Sequence, residues 1–292
     1  MGSSVPPIPD SLRENLAYGL GVEESERWLA YAVTRAEALF ESWELVPEQV
    51  LAGGSESLCV KCTGTEGDTV LKIPANVASG AAEVAALRAW AGSGAARVLR
   101  SDPADNAMLM NFLGWVGVGS FTAADVLDLA DRLHGADPAG HSFGSVARNV
   151  DRRVAWAEER FSDAGHERAL ADVAVAEKLL AELLYDDEQV LLHGDLQPKN
   201  LIVSDHGLTV VDPMPALGPA LFDVALWMVK CSDDHVLAEL LAEILRQRPA
   251  LDPDRLLRWA WSLAVLESRP YLGSKNHHRE TFITESRTQV AG

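Results

Sequence analysis

The spacing of apolar residues changes twice along the chain. From Ser11 to Phe40 they return every three or four positions, as at Leu29, Ala32, Ala36 and Leu39, with an interruption at Gly19–Gly21. Such positions share one helix face, so the stretch predicts a pair of helices. From Val46 the runs shorten to strand length. Val50-Leu51 and Leu58-Cys59-Val60 flank Gly53-Gly54-Ser55-Glu56-Ser57, and Thr69–Ile73 is a further apolar strand. A helical run over Ala81–Trp90 follows. Asn106–Leu113 then reads as a strand ending in a short connector, and Gly114-Trp115-Val116-Gly117-Val118-Gly119 loosens the chain.

From Thr122 onward the pattern is mainly helical. Thr122 and Asp125 suit a capping box for a helix running to His134. Further helices are expected over Phe143–Phe161, over His166–Leu184 and through 235–270, where Asp252-Pro253 marks a start. One hairpin interrupts them: Leu201–Val203 and Leu208–Val211 across the polar turn Ser204–Gly207. Leu221–Val229 is too apolar for a surface helix, and Asp223 near its start reads as an N-cap. The tail from Gly273 reads as a loop and a frayed end.

Composition narrows the class. The chain has 292 residues, 48% hydrophobic and 23% charged, which is ordinary globular usage and enough for two lobes. A net charge of −18 argues against nucleic acid as a partner, because that needs a basic footprint. It suits a cationic small molecule, and it also serves solubility alone. Cys59, Cys62 and Cys231 are too few and too scattered for a disulfide framework. Cys59 and Cys62 stand three apart in a strand, where side chains alternate sides. No run is long enough to span a bilayer, and residues 1–10 lack the basic and apolar regions of a secretory signal. The expected location is cytoplasmic, with no membrane partner. Monomer and dimer both stay open.

The candidate chemistry gathers at the hairpin. Asp195 lies on the loop leading in, Asn200 just before the first strand, and Asp212 just after the second. The hairpin brings Asn200 and Asp212 to one end of its ladder. Two carboxylates and an amide are hard oxygen donors, which suits Mg²⁺ with positions left for phosphate and water. The remaining carboxylate can orient a hydroxyl and accept its proton. Upstream, Lys72 sits inside an apolar strand and needs a partner. Glu83, Leu87 and Trp90 fall at i, i+4 and i+7, so Glu83 shares the inward face of its helix and is the natural counter-charge. The glycine turn at Gly53, Gly54 and Ser55 reads as an ordinary hairpin turn or as a phosphate cradle, since adjacent glycines let N–H groups approach phosphate oxygens.

The stretch L-L-H-G-D-L-Q-P-K-N, followed by V-V-D-P, resembles the aminoglycoside phosphotransferase family, whose members have a protein-kinase-like fold. G-G-S-E-S-L-C-V-K-C and T-V-L-K-I look most like the streptomycin 6-phosphotransferase and hydroxyurea phosphotransferase branch. The resemblance implies an α+β, two-lobed fold. Residues 1–110 would form a small antiparallel-sheet lobe binding nucleotide, with extra helices at 11–40. Residues 111–114 would be the hinge, and 115–292 a helical lobe carrying the catalytic loop and acceptor site. It implies Asp195 as catalytic base, Asn200 and Asp212 as Mg²⁺ ligands, and Lys72, positioned by Glu83, on the α- and β-phosphates. Gly53, Gly54 and Ser55 would cover the phosphates. Asn111 and Leu113 would meet the base, with Met110 walling its pocket or lying in the core. The donor would be ATP or GTP.

Further roles follow from the same resemblance. Asp223 would brace the catalytic-loop backbone, and His193 would order the loop. Glu158, Glu159 and Asp163 read first as a solvated helix face, although a helical insertion here helps form the acceptor pocket in that family. Gln197 stands where protein kinases carry lysine, which favours a small-molecule acceptor. The implied activity is transfer of a γ-phosphoryl group to a hydroxyl of an aminoglycoside-type antibiotic such as streptomycin, conferring resistance. The alternatives are a kinase of hydroxyurea or of another metabolite, and a nucleotide-binding protein without turnover. P-loop chemistry is disfavoured, because G-x-x-x-x-G-K-[ST] does not occur.

Overall fold

A computed structural model describes residues 4–52, 56–115, 119–138, 140–185, 188–205, 207–232, 235–269 and 277–290. The chain divides into two compact units, Met1–Gly114 and Trp115–Gly292.

The first unit is an antiparallel sheet with helices. Helices α1 (Asp10–Leu20) and α2 (Val22–Ser42) are separated by Gly21, whose φ of 82° an L side chain rarely adopts. Strands β1 (Val46–Val50), β2 (Ser57–Gly64), β3 (Gly67–Pro74), β4 (Val98–Ser101) and β5 (Met108–Asn111) run in the order β1-β2-β3-β5-β4. Alternation decides what each face of the sheet carries. Leu58, Val60, Cys62, Leu71 and Ile73 join Leu29, Ala32, Ala36, Leu39 and Phe40 of α2 in one core. Cys59 and Lys72 alternate with these residues, and α3 (Val77–Trp90) packs against β3 and β4.

Two details depart from the expected elements. Strand β4 carries no usable alternation, being half-buried at all four positions. Strand β5 starts at Met108 rather than Asn106, because Asn106 has φ 57° and its Nδ2 donates to the Val77 carbonyl at 2.9 Å. The turn between β4 and β5 is held by Arg35 of α2, which pairs with Asp102 and Asp105.

The second unit is built around α9 (Pro253–Glu267), which is buried almost throughout from Leu256 to Glu267. Against it pack α5 (Ala147–Asp163), α6 (Glu167–Leu183), α7 (Leu221–Lys230) and α10 (His277–Val290). Helix α4 (Ala123–His134) begins with the expected capping box, and α8 is Leu237–Gln247. Asp252 caps α9, accepting from the N–H groups of Asp254 and Arg255. Two small ladders complete the unit: β6 (Val190–Leu192) with β9 (Ala216–Gly218), and β7 (Leu201–Ser204) with β8 (Gly207–Val210).

Helix α5 starts at Ala147 rather than Phe143, since Ser145 is engaged in a parallel bridge to Leu217. The larger correction is α10, where the sequence reading expected a loop and frayed end. Arg279, Phe282, Ser286 and Val290 form a buried stripe at helical spacing, and Trp261 Nε1 of α9 donates to the Ile283 carbonyl at 2.9 Å. An arginine and a serine within the stripe hide it from a hydrophobic count. Among the described residues, no helix is long and apolar enough to cross a membrane.

Candidate active site

In the first unit, Lys72 and Glu83 meet. Lys72 lies on β3, flanked by Cys59 on β2 and Met108 on β5, so its strand is internal to the sheet. Its Nζ donates to Glu83 Oε1 at 2.6 Å, and both side chains are buried. Helix α3 reaches this position through its N-terminal turn. Asn76 caps it by accepting from Ser79 N–H at 3.0 Å. Gly80 then lets it approach Pro74: a Cβ there would stand 2.5 Å from Pro74 Cγ. A helix-interior glycine costs roughly 1 kcal/mol relative to alanine, and here it sets the helix close enough for Glu83 to reach the strand.

The other residues expected in this unit are more scattered. Gly53, Gly54 and Ser55 lie outside the described residues. Asn111 ends β5, and both its N–H and its side chain are engaged with the Arg97 backbone, at 3.2 Å and 2.7 Å. That side chain therefore ties down the sheet. Leu113 is half-buried in the segment after β5, and Met110 is buried within β5.

In the second unit, Asp195, Asn200 and Asp212 are set by one loop and one hairpin. The β7–β8 ladder pairs Leu201 with Val210, and Val211 N–H donates to the Asn200 carbonyl at 3.0 Å. Asn200 and Asp212 thereby flank the same end of the ladder. The Asn200 amide nitrogen donates to the Asp195 carbonyl at 2.9 Å and to Asp195 Oδ2 at 3.1 Å. Gln197 Nε2 reaches the same Oδ2 at 2.6 Å. Lys199 stands at 4.0 Å with its side chain 57% exposed. Asp212 has a left-handed backbone, φ 56°, which costs a non-glycine residue on the order of 1 kcal/mol and is typical of functional sites.

The loop carrying Asp195 is braced from below. Asp223 is buried on α7 and accepts from His193 N–H at 2.7 Å, from Gly194 N–H at 2.9 Å, and from His134 Nε2 at 3.0 Å. Burial alone would raise its carboxyl, but the His134 hydrogen bond and charge, His193 and the Gly194 N–H together hold it below the usual range. Asp223 is the third residue of the helix, not its N-cap, so its carboxylate points at the loop and not at its own first turn.

His193 is fully buried. Its Nδ1 accepts from Asp195 N–H at 3.3 Å while Nε2 faces the Val211 carbonyl at 3.1 Å. This pattern fits a neutral imidazole with its proton on Nε2, and burial pushes its pKa down despite the carboxylates nearby. Gly194 has φ 76°, and a Cβ on it would stand 2.0 Å from the Met214 carbonyl oxygen. The H-G-D order thus has a steric cause: only glycine fits between histidine and aspartate here.

The sequence reading missed what lies beside Asp195. Arg153 of α5 is buried, with Nη2 3.6 Å from Asp195 Oδ1 and Nε donating to Asn149 Oδ1 at 2.8 Å. Its Nη1 donates to Glu267 Oε1, and Lys230 Nζ donates to Glu267 Oε2. Burial, with Arg153 and Arg279 close by, pushes the Lys230 ammonium down to about 7, while Asp195 acts the other way. The signal was present: Asn149, Val150, Arg153, Val154, Ala157 and Phe161 form the buried face of α5. Glu158, Glu159 and Asp163 are exposed, as a solvated face requires.

The donor set suits magnesium. Mg²⁺ uses one or two carboxylates and keeps phosphate and water oxygens as its other ligands. With its N–H₂ group committed to Asp195, Asn200 turns Oδ1, the atom a hard cation prefers, away from that bond. Together with the Asp212 carboxylate it makes a fitting pair of oxygen donors.

A small antiparallel sheet bearing a Lys–Glu pair, joined to a helical unit bearing an H-G-D-x-x-x-x-N loop and a hairpin aspartate, defines a protein-kinase-like phosphotransferase. The chain belongs to the aminoglycoside/hydroxyurea antibiotic resistance kinase family, whose model matches residues 42–270. It is 30% identical to the streptomycin 6-kinase of Streptomyces glaucescens over 84% of this chain and 82% of that protein. It is 32% identical to the hydroxyurea phosphotransferase of Kitasatospora aureofaciens over 56% of this chain and 50% of that one. The fold is similar to that of a thermostable mutant of aminoglycoside phosphotransferase APH(4)-Ia, in a ternary complex with ADP and hygromycin B. That likeness has a TM-score of 0.59 and 15% identity, covering 85% of this chain and 97% of the other.

Proposed function

We propose that this kinase transfers the γ-phosphoryl group of ATP to a hydroxyl of a streptomycin-class aminoglycoside. The chemistry rests on Asp195, a partly accessible carboxylate (13% exposed) whose Oδ2 is fixed by Gln197 and Asn200. The choice of acceptor rests on the 30% identity to a streptomycin 6-kinase along most of both chains. The net charge of −18 favours a cationic acceptor of this kind.

Asp195 would orient the hydroxyl and accept its proton, a contribution of about 10²–10⁴ in rate. A carboxylate offers about four acceptor sites, so its present donors leave room for the acceptor. Lys72, held by Glu83, would offset charge on the α- and β-phosphates, and backbone near Leu113 would meet the base. Asn200 and Asp212 would hold Mg²⁺, which would neutralise charge on the phosphate oxygens. In this reading residues 1–110 form the nucleotide lobe, 111–114 the connector, and 115–292 the catalytic loop with the acceptor site. ATP supply fits a cytoplasmic location.

The test is incubation of the purified protein with labelled ATP and streptomycin, in the presence and absence of Mg²⁺, followed by mass spectrometry of the product. Streptomycin carrying one added phosphoryl group is expected. A parallel incubation with hydroxyurea addresses the second reading, which the likeness to the hydroxyurea enzyme favours. Label on hydroxyurea and none on streptomycin would replace the first reading with the second.

A further inference from the structure

We propose that Arg153 is a positioning residue for Asp195, fixing the carboxylate from the side opposite to Gln197 and Asn200. This rests on the reading of Asp195 given above and adds a residue that no motif in the chain contains.

The geometry is that of a guanidinium held in a frame. Asn149, one turn before Arg153 on α5, accepts from its Nε at 2.8 Å. The same Asn149 donates from Nδ2 to the Gly194 carbonyl at 3.1 Å, so it fixes both the arginine and the loop. Glu267, at the end of α9, accepts from Nη1. That carboxylate is itself anchored by Lys230 of α7, and Arg279 Nη1 of α10 donates to the Glu267 carbonyl at 2.6 Å. Arg279 also reaches Ser232 Oγ at 2.7 Å and the Val229 carbonyl at 3.1 Å. With Nε and Nη1 committed, the planar fork leaves Nη2 aimed at Asp195 Oδ1, 3.6 Å away.

Asp195 is thereby gripped from two sides. Oδ2 takes hydrogen bonds from neighbours on its own loop, and Oδ1 sits in the field of a cation delivered by a distant helix. At 3.6 Å the contact is an ion pair rather than a hydrogen bond. It restrains the carboxylate without occupying the acceptor capacity that a substrate hydroxyl needs.

A merely structural arginine would staple α5 to α9 and affect activity only through folding. A double-mutant cycle separates the roles. Arg153→Met and Arg153→Lys are made in the wild-type and in the Asp195→Asn backgrounds, and kcat and KM for MgATP and streptomycin are measured well below the melting temperature. If Arg153 acts through Asp195, Arg153→Met lowers kcat by about 10²-fold in the wild type, with both KM values within about threefold. In the Asp195→Asn background the same change leaves the residual rate within about twofold.

Arg153→Lys keeps the charge and loses the fork, so it serves if the methionine variant does not fold. It is expected to cost about tenfold in kcat in the first background and nothing in the second. Equal losses in both backgrounds, or an unchanged kcat in the wild type, overturn the proposal. If Asp195→Asn alone retains full phosphotransfer, the reading of Asp195 is what fails.

Discussion

Glu83 and Glu267 are both buried glutamates paired with cations, one in each unit of the molecule. Glu83 meets Lys72, which belongs to the strand just before its own helix. Glu267 meets Arg153 from α5 and Lys230 from α7, while Arg279 of α10 donates to its backbone. The first is a local pair on neighbouring elements. The second joins four helices behind the loop that carries Asp195. A pair can be altered with effects confined to what its lysine touches. In an array, one change disturbs loop, helix packing and charge balance together.

The largest effect is expected at Asp195. Asp195→Asn removes the base while Arg153 keeps Glu267 as a counter-ion, so turnover should fall by about 10³-fold with little change in stability. Steady-state phosphorylation of streptomycin together with thermal melting checks this. A variant as active as wild type would remove the chemical reading of the loop.

The glutamates come next. Glu267→Gln leaves two cations without their shared counter-charge, and a broken buried ion pair costs about 3–5 kcal/mol. Glu83→Gln strips one cation and should fall at or below the low end of that range, with its main effect on the KM for ATP. Urea unfolding of both variants tests the contrast between array and pair. Equal losses, or a larger loss for Glu83→Gln, would mean that the Glu267 array is no more integrated than the local pair.

The same contrast explains what the sequence made legible. Lys72 and Glu83 could be paired because a lysine in an apolar strand and a glutamate on an apolar helix face, in successive elements, have one natural solution. Asp195, Asn200 and Asp212 fall around a single hairpin, so spacing alone brought them together. Pattern alone makes Asp223 a cap, because a carboxylate near a helix start usually satisfies that helix; only the family resemblance implies the bracing of the loop backbone that the His193 and Gly194 N–H groups show. Arg153 sits on a buried face as plainly as Glu83 does, yet its counter-charges lie on the Asp195 loop and on α9, where pattern gives no contact. Helix α10 failed for a related reason, since its buried stripe includes Arg279 and depends on partners in α7 and α9.

Two glycines extend the comparison to the backbone. At Gly194 an added Cβ would meet a backbone carbonyl at 2.0 Å, on a residue whose φ is 76°. At Gly80 it would meet the ring of Pro74 at 2.5 Å, in ordinary helical geometry. Gly194→Ala should therefore cost about 3 kcal/mol and misplace Asp195, whereas Gly80→Ala should cost about 1–2 kcal/mol, overpacking being partly offset by the gain in helix propensity. Unfolding free energies and kcat of the two variants check the order. A Gly194→Ala enzyme with wild-type kcat would show that the loop tolerates displacement.

The smallest effect is a pH slope carried by His193. Burial lowers its folded-state pKa, so the imidazole stays neutral in the native protein below the pH at which an unfolded histidine takes up a proton. Below about pH 6.5 the unfolded state therefore binds more protons than the native state, and stability must fall as pH falls. The stabilisation is fully present above the unfolded pKa and is lost progressively toward the depressed folded one. The chain has 8 histidines, so the measurement is the difference between wild type and His193→Asn, which cancels the other seven (8 − 1). Asparagine can still accept from Asp195 N–H but does not titrate. The variant should be less stable at neutral pH because it loses the ring's packing and the Val211 contact. Its deficit relative to wild type should then shrink by up to about 1.4 kcal/mol between about pH 7.5 and pH 5.5. Urea unfolding at those two values decides the matter. A deficit that stays constant would mean that His193 gains its proton in the folded loop as readily as in the unfolded chain, contrary to its burial.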